Sequence, residues 1–262
     1  MPFYDTHAHL DQPEFDDDRA DVVVRARDAG VKQIIAIGTT AETSEKCVRL
    51  AAEFEGVSAA VGMQPNYVAQ GQPGDWERVV ALVDSPGVVA IGETGLDRYW
   101  DFTPFDQQQD YFDRHLRLSQ SCGLPFVVHM RDCDEDILVM LREARRRRPL
   151  AGVMHSFTGS QAMMEECVAM GLYISFAGMV TYKKSGDLRT IVAAVPSDRI
   201  LIETDSPYLS PEPVRKIKRN EPAHVRHTAE CLAAVRGATL EEFAGQTTAN
   251  ARRLFLAAPA KA

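Results

Sequence analysis

Short apolar runs recur along the chain at intervals of about 20 to 40 residues, with apolar residues at helical spacing between them. Eight runs read as strands: residues 3–7, 33–38, 57–63, 88–93, 125–129, 152–155, 172–176 and 200–205. Several are apolar on both alternating faces, as in Val88-Val89-Ala90-Ile91 and Phe126-Val127-Val128. Continuous apolarity is the mark of parallel strands covered by helices on one side and core on the other. The helical stretches show their ends. Beyond Asp106, Tyr111, His115 and Leu118 follow i, i+4, i+7 spacing, Gly123 offers a left-handed cap and Pro125 blocks continuation. A helix after Ser160 ends in the same way at Gly171, and Thr239 with Glu242 forms a capping box for a last helix reaching Phe255. Asp16, Asp17 and Asp18 read as the solvated start of the first helix.

Strand and helix thus alternate eight times without a low-complexity linker. The expectation is an α/β chain folded as one (β/α)8 TIM barrel, a single domain over residues 1–262, rather than an open doubly wound sheet. Composition narrows the class. No run approaches the ~18 apolar residues of a membrane span, and the N-terminus lacks the basic-then-apolar order of a secretory signal. The five cysteines, an odd number with no C-x-x-C pair, argue against a disulfide framework and a thiolate zinc site and for free thiols in the cytoplasm. A net charge of −8 argues against a broad DNA-binding groove, so any contact with nucleic acid is expected to be local.

Metal-ligating residue types fall on the strand ends. His7 and His9 finish the first strand in an H-x-H pair, whose side chains point to one side. Glu93 ends the fourth strand, His129 the fifth, His155 the sixth and Asp205 the eighth. In a (β/α)8 barrel all these ends converge on one mouth, where catalytic groups lie. Each residue alone has an ordinary structural reading; the coincidence of six does not. Imidazoles and carboxylates without thiolate suit ions such as Mg, Mn or Zn, and six ligands exceed the needs of one ion. Two divalent ions are therefore expected, bridged by Glu93, with His7, His9 and Asp205 on one and His129 and His155 on the other. Such a site activates water for in-line attack, with Asp205 orienting that water or taking its proton. The remaining histidines, His115, His224 and His227, read as surface or packing residues.

These residues lie in motifs that resemble the TatD family of metal-dependent deoxyribonucleases, within the amidohydrolase-like barrels. The matching segments are Asp5-Thr6-His7-Ala8-His9-Leu10, Ile91-Gly92-Glu93-Thr94-Gly95-Leu96-Asp97 and Pro125-Phe126-Val127-Val128-His129-Met130-Arg131-Asp132. Further along come His155-Ser156-Phe157-Thr158-Gly159, Glu203-Thr204-Asp205-Ser206-Pro207, Arg219-Asn220-Glu221-Pro222 and Asn250-Ala251. The resemblance covers nearly the whole chain. It implies the same six metal ligands and cleavage of DNA, as a 3'-5' exonuclease or an endonuclease on single strands and ends. One segment departs: where the family carries Gly-x-His-Pro-His, this chain has Gly62-Met63-Gln64-Pro65-Asn66. Gln64 and Asn66 can hydrogen-bond a phosphate but cannot act as acids near neutral pH.

Substrate contacts are expected from Gln64, Asn66 and Arg131, and from Lys218, Arg219 and Asn220 in a segment with four cations in residues 215–219. Tyr99, Trp100, Phe102, Tyr182 and Tyr208 fit two roles equally, stacking bases of a single strand or packing the mouth loops. The same chemistry attacks carbonyls, so hydrolysis of an amide, ester or lactone is the second reading. A non-catalytic scaffold would have lost ligands, whereas all six are present.

Overall fold

The computed structural model describes residues 2–256, so Met1 and residues 257–262, the ends of the expected 1–262 domain, lie outside the described residues. Each apolar run forms a strand: β1 (Phe3–Ala8), β2 (Val31–Ile37), β3 (Val57–Val61), β4 (Val88–Asp97), β5 (Phe126–Arg131), β6 (Gly152–Met154), β7 (Tyr173–Phe176) and β8 (Ile200–Ile202). A helix follows each in turn: α1 (Arg19–Asp28), α2 (Ala41–Glu53), α3 (Asp75–Leu82), α4 (Phe105–Cys122), α5 (Asp134–Arg147), α6 (Gln161–Ala169), α7 (Gly186–Ala194) and α8 (Val225–Val235). A last helix, α9 (Leu240–Phe255), then closes the chain's described part. The strands pair in sequence order and in parallel, giving the (β/α)8 architecture. No helix among the described residues is long and apolar enough to cross a membrane.

The helix ends behave as their chemistry requires. Gly123 caps α4 in the left-handed conformation, the Ser160 side chain caps α6, and Thr239 and Glu242 exchange bonds at the start of α9. Asp18 differs from expectation. It precedes α1 without capping it, and its carboxylate instead accepts from Arg25 and Arg219.

One buried cluster takes a residue from every strand: Tyr4, Ile35, Ile37, Ala60, Ala90, Val127, Val153, Tyr173 and Leu201. A cluster with that membership must fill the barrel's interior. Ala251, Leu254 and Phe255 of α9 join it, and the Phe255 ring stacks on Tyr4. The interior is thus packed, and the other end is left to polar residues.

The seam between β8 and β1 is closed by a mixture of backbone and side chain. The Asp205 amide donates to His7 O at 2.9 Å, and the His9 amide to Ser206 O at 2.7 Å. Asp5 stands in for ladder bonds, accepting from the Thr204 amide at 2.9 Å and its hydroxyl at 2.6 Å. Burial pushes the Asp5 carboxyl up to about 8 against those same bonds. The seam matters because it holds His7, His9 and Asp205 in register.

The fourth strand runs four residues beyond the expected end at Glu93. Gly92 and Gly95 explain the extension. Gly95 has φ +132°, and a Cβ there would come within 2.0 Å of His129 O. Only glycine lets β4 lie this close to β5 and carry the pairing on to Asp97 opposite Arg131.

His115, on α4, is a core residue. Its Nε2 accepts from the Met63 amide at 2.9 Å and its Nδ1–H donates to Tyr111 O. Burial, with Arg114 nearby, holds the imidazole down at about 4, against the pull of Tyr111 O. The unfolded chain binds this proton near the ordinary 6.5, so acid favours unfolding. The contribution is complete above pH 6.5 and is lost as pH falls to 4, a change of about 3 kcal/mol. Denaturant titrations should therefore show that His115→Ala destabilises strongly at pH 7.5 and much less at pH 4. An equal loss at both values would refute the assignment.

Candidate metal centre

Three strands and three of the loops that follow strands bring six side chains to the mouth. His7 lies on β1 and His9 just beyond it, Glu93 is within β4, His129 within β5, and His155 and Asp205 follow β6 and β8. His7 Nε2 and His9 Nε2 are 3.2 Å apart. Asp205 Oδ1 is 3.7 Å from the first and 3.4 Å from the second. Glu93 stands between two groups. Its Oε2 is 3.5 Å from His7 Nε2 and 3.7 Å from His9 Nε2, while its Oε1 is 3.1 Å from His129 Nδ1 and 3.3 Å from His155 Nε2. His7 and His155 stack face to face at 3.9 Å between centroids.

This donor set fits divalent cations. Glu93 and Asp205 are faced only by imidazoles, and neither has a Lys or Arg partner among the described residues. Donor atoms of His7, Glu93 and His155, and again of His7, His9 and Asp205, lie within 4.8 Å of one another. Lone pairs converging from buried nitrogen and oxygen atoms with no organic cation present are what a metal ion relieves.

Electrostatics follow from that crowding. Burial disfavours charge on every group, and at His7, with His155 beside it, burial prevails and the imidazole is held below its usual range. At His9 burial is outweighed by the bond to Asp205 and by Glu93, leaving it at about 9. His129 and His155 are raised in the same way against burial, His129 by Asp97 and Glu93, His155 by Glu93 and Glu203. Glu93 lies well below the carboxylate range despite its burial, because of His155, His129 and His7, and Asp205 is lowered by His9.

Two carboxylates that sequence reasoning missed stand behind the histidines. Asp97 Oδ2 is 2.9 Å from His129 Nε2, and Glu203 Oε1 is 3.3 Å from His155 Nδ1. His9 Nδ1–H donates to Ile37 O at 3.2 Å. Each ring is thereby turned with its other nitrogen toward the centre, the usual support of a metal-binding histidine. The signal was present as Gly95-Leu96-Asp97 and Glu203-Thr204-Asp205, but its meaning depends on cross-strand neighbours. Glu203→Gln should weaken metal binding about 10- to 100-fold. Calorimetric titration with Mn²⁺ checks this, and unchanged affinity would rule out an orienting role.

Strain gathers here. Among the described residues, the four non-glycine residues with left-handed backbones are Asp132, Ser156, Asp205 and Leu209, all in loops after β5, β6 or β8. Such conformations cost free energy and persist where a site requires them.

The mouth opens as a pocket of about 600 Å³, lined by His9, Glu93, His129, His155 and Asp205 together with Gln64, Arg131, Trp100, Tyr67 and Tyr208. The expected substrate contacts divide. Gln64 and Arg131 face the pocket, and Arg131 lies over the Tyr99 ring at 3.7 Å with no ion pair among the described residues. Asn66 does not; its amide donates to Asp97 at 2.9 Å. Lys218 is exposed but lies outside the pocket lining. Arg219 forms a two-pronged ion pair with Asp18 at 2.6 and 2.8 Å, so its guanidinium ties the loop after β8 to α1. Asn220 is fully buried and donates to Thr204 O and Tyr208 O, bracing the Asp205 loop from behind. For Arg219 and Asn220 the fold has already taken up the hydrogen bonds that a substrate would need.

Comparison with known proteins shows the family. A family model described as TatD related DNase matches residues 4–256. YabD of Bacillus subtilis, described as an uncharacterized metal-dependent hydrolase, is 39% identical over 252 residues, covering 96% of this chain and 98% of its own. The 3'-5' ssDNA/RNA exonuclease TatD of Salmonella typhimurium is 37% identical over 256 residues, with 96% and 98% covered. Among solved structures, YJJV, a TatD homolog from Escherichia coli, superposes with a TM-score of 0.91 at 30% identity, over 97% of this chain and 98% of its own. A barrel closed around four histidines and two carboxylates, carried by a sequence matched almost end to end, places this chain in the TatD-related DNase family of metal-dependent hydrolases.

Proposed function

We propose that the chain hydrolyses phosphodiester bonds of DNA, shortening single strands or ends, with two divalent ions held at the barrel mouth. The observation that carries this reading is Glu93, whose two oxygens face two separate groups of ligands at the floor of an open pocket. His7, His9 and Asp205 would hold one ion, His129 and His155 the other, and Glu93 would bridge them; Mg²⁺, Mn²⁺ and Zn²⁺ all suit this donor set. When bound, such ions neutralise a phosphate and lower the pKa of water. The protein's residues do the rest. Arg131 receives a non-bridging phosphate oxygen, Gln64 donates from the opposite loop, and Asp205 orients the attacking water and accepts its proton. The Salmonella relative's description favours an exonuclease, and the pocket's size suits a strand end. The five free cysteines favour work in a reducing compartment such as the cytoplasm.

The test is cleavage of end-labelled single-stranded and duplex DNA with Mg²⁺, Mn²⁺ or Zn²⁺. Stepwise, metal-dependent shortening of the single strand is expected. A folded, metal-loaded preparation that leaves both substrates intact refutes the reading.

A further inference from the structure

Five large aromatic side chains are more than a third exposed among the described residues: Tyr67 at 40%, Tyr99 at 54%, Trp100 at 43%, Phe102 at 55% and Tyr208 at 49%. All five belong to loops on the mouth side, after β3, β4 and β8. None lies on an outer helix face or at the opposite end. Aromatic surface is costly to leave in water, and its confinement to one rim marks a contact site. Trp100, Tyr67 and Tyr208 line the metal pocket itself, and the Tyr208 ring is 6.0 Å from His9. Trp100 stacks on Phe102 at 5.2 Å and meets Tyr99 edge-on at 4.7 Å.

The Trp100 group is fixed in place relative to the chemistry. One oxygen of Asp97 accepts the Tyr99 and Trp100 amides at 2.8 and 3.0 Å, and the other contacts His129. A single carboxylate therefore sets the spacing between the aromatic loop and the candidate metal centre. Charge points the same way. The protein carries a net charge of −8, and among the described residues Arg131 is the only lysine or arginine lining the pocket; Lys183, Lys184, Lys216 and Lys218 are exposed outside that lining, and Arg219 is paired with Asp18. Inside the pocket, then, one cation is available for phosphate, and further hold on a strand has to come from other contacts.

We infer that Trp100, Tyr67 and Tyr208, which all line the pocket, stack the unpaired bases of the strand being cut, while Arg131 takes its phosphate. The inference rests on the phosphodiesterase reading above and adds how the substrate is chosen. Every base has a π face, so stacking tolerates any sequence, but a paired base keeps its faces against its neighbours. The rim would thus select single strands without a basic groove.

The test compares oligonucleotides that differ only in whether the terminal nucleotides carry bases. Wild type should prefer base-bearing over abasic ends by about tenfold or more in kcat/KM, and Trp100→Ala should reduce that preference to near one. Trp100→Phe should retain most of it. The logarithm of KM should rise with the logarithm of salt concentration at a slope of about 1 to 2, since each phosphate contact on a single strand contributes roughly 0.7. Equal cleavage of both ends by wild type, a preference surviving Trp100→Ala, or a slope of about 4 or more would each overturn the inference. Tryptophan fluorescence separates it from the parent reading. A phosphorothioate oligothymidylate added without divalent metal should quench wild type, and the quench should vanish in Trp100→Phe. Quenching without any cleavage would sink the nuclease and support the stacking rim; neither quenching nor cleavage would sink both.

Discussion

Glu93→Gln should reduce metal-dependent hydrolysis by about 1000-fold or more and lower bound metal from two ions per chain to one or fewer. The substitution keeps shape and removes charge. In the native site one carboxylate lies within 3.7 Å of four imidazole nitrogens, with each oxygen serving a different pair. A neutral amide would still fill the space, yet it would present an N–H donor to one pair of nitrogens where two ions need a shared anion. Removing an orienting carboxylate behind a ligand costs about 10- to 100-fold, and removing the shared ligand must cost more. Metal analysis after dialysis, run beside an activity assay, measures both effects. Two ions retained in Glu93→Gln would end the bridging assignment. The same contacts set the pH dependence of loading. His9, His129 and His155 are raised above the ordinary imidazole range by the carboxylates around them, so metal binding must expel their protons. Apparent affinity should therefore fall steadily as pH drops below about 9, where His9 begins to hold its proton.

The six candidate ligands could be read from the sequence because strand and helix alternate so regularly. Once eight parallel strands are placed, every strand end is at one rim, and His7, Glu93, His129 and Asp205 need no further information to be neighbours. What could not be read depends on register and on partners far away in the chain. Asp97 meets His129 only because Gly92 and Gly95 let β4 continue past Glu93, and a count of apolar residues stops before that point. Glu203 reaches His155 across 48 residues. Nothing local in the run of Arg215, Lys216, Lys218 and Arg219 marks Arg219 as paired, because its partner Asp18 is 201 residues away, and Asp18 reads as solvated for the same reason. Asn66 shares a loop with Gln64, but its amide donates to Asp97 and it does not line the pocket. Local pattern carried the elements and the rim; long-range pairing decided which polar groups remain free for a ligand.

Asp205→Asn provides the second large effect, and it separates chemistry from metal loading. Asp205 has a left-handed backbone at φ +55°, a conformation asparagine accepts as readily as aspartate, and its amide bond to His7 O does not involve the side chain. The seam and the His7–His9 pair should therefore survive, and thermal stability should change little. Lost instead is the anion 3.4 Å from His9 Nε2 that would orient the attacking water and accept its proton. Loss of a positioned general base lowers kcat by about 100- to 10,000-fold. Excess Mn²⁺ should restore part of the activity of Glu93→Gln, because there the deficit is partly one of occupancy. It should restore almost none in Asp205→Asn, where the missing group acts on the proton after the site is filled. Rate measurements over a Mn²⁺ series at saturating single-stranded DNA make the comparison. Full recovery of Asp205→Asn at high metal would reduce Asp205 to a ligand and leave the proton acceptor to be found elsewhere in the pocket.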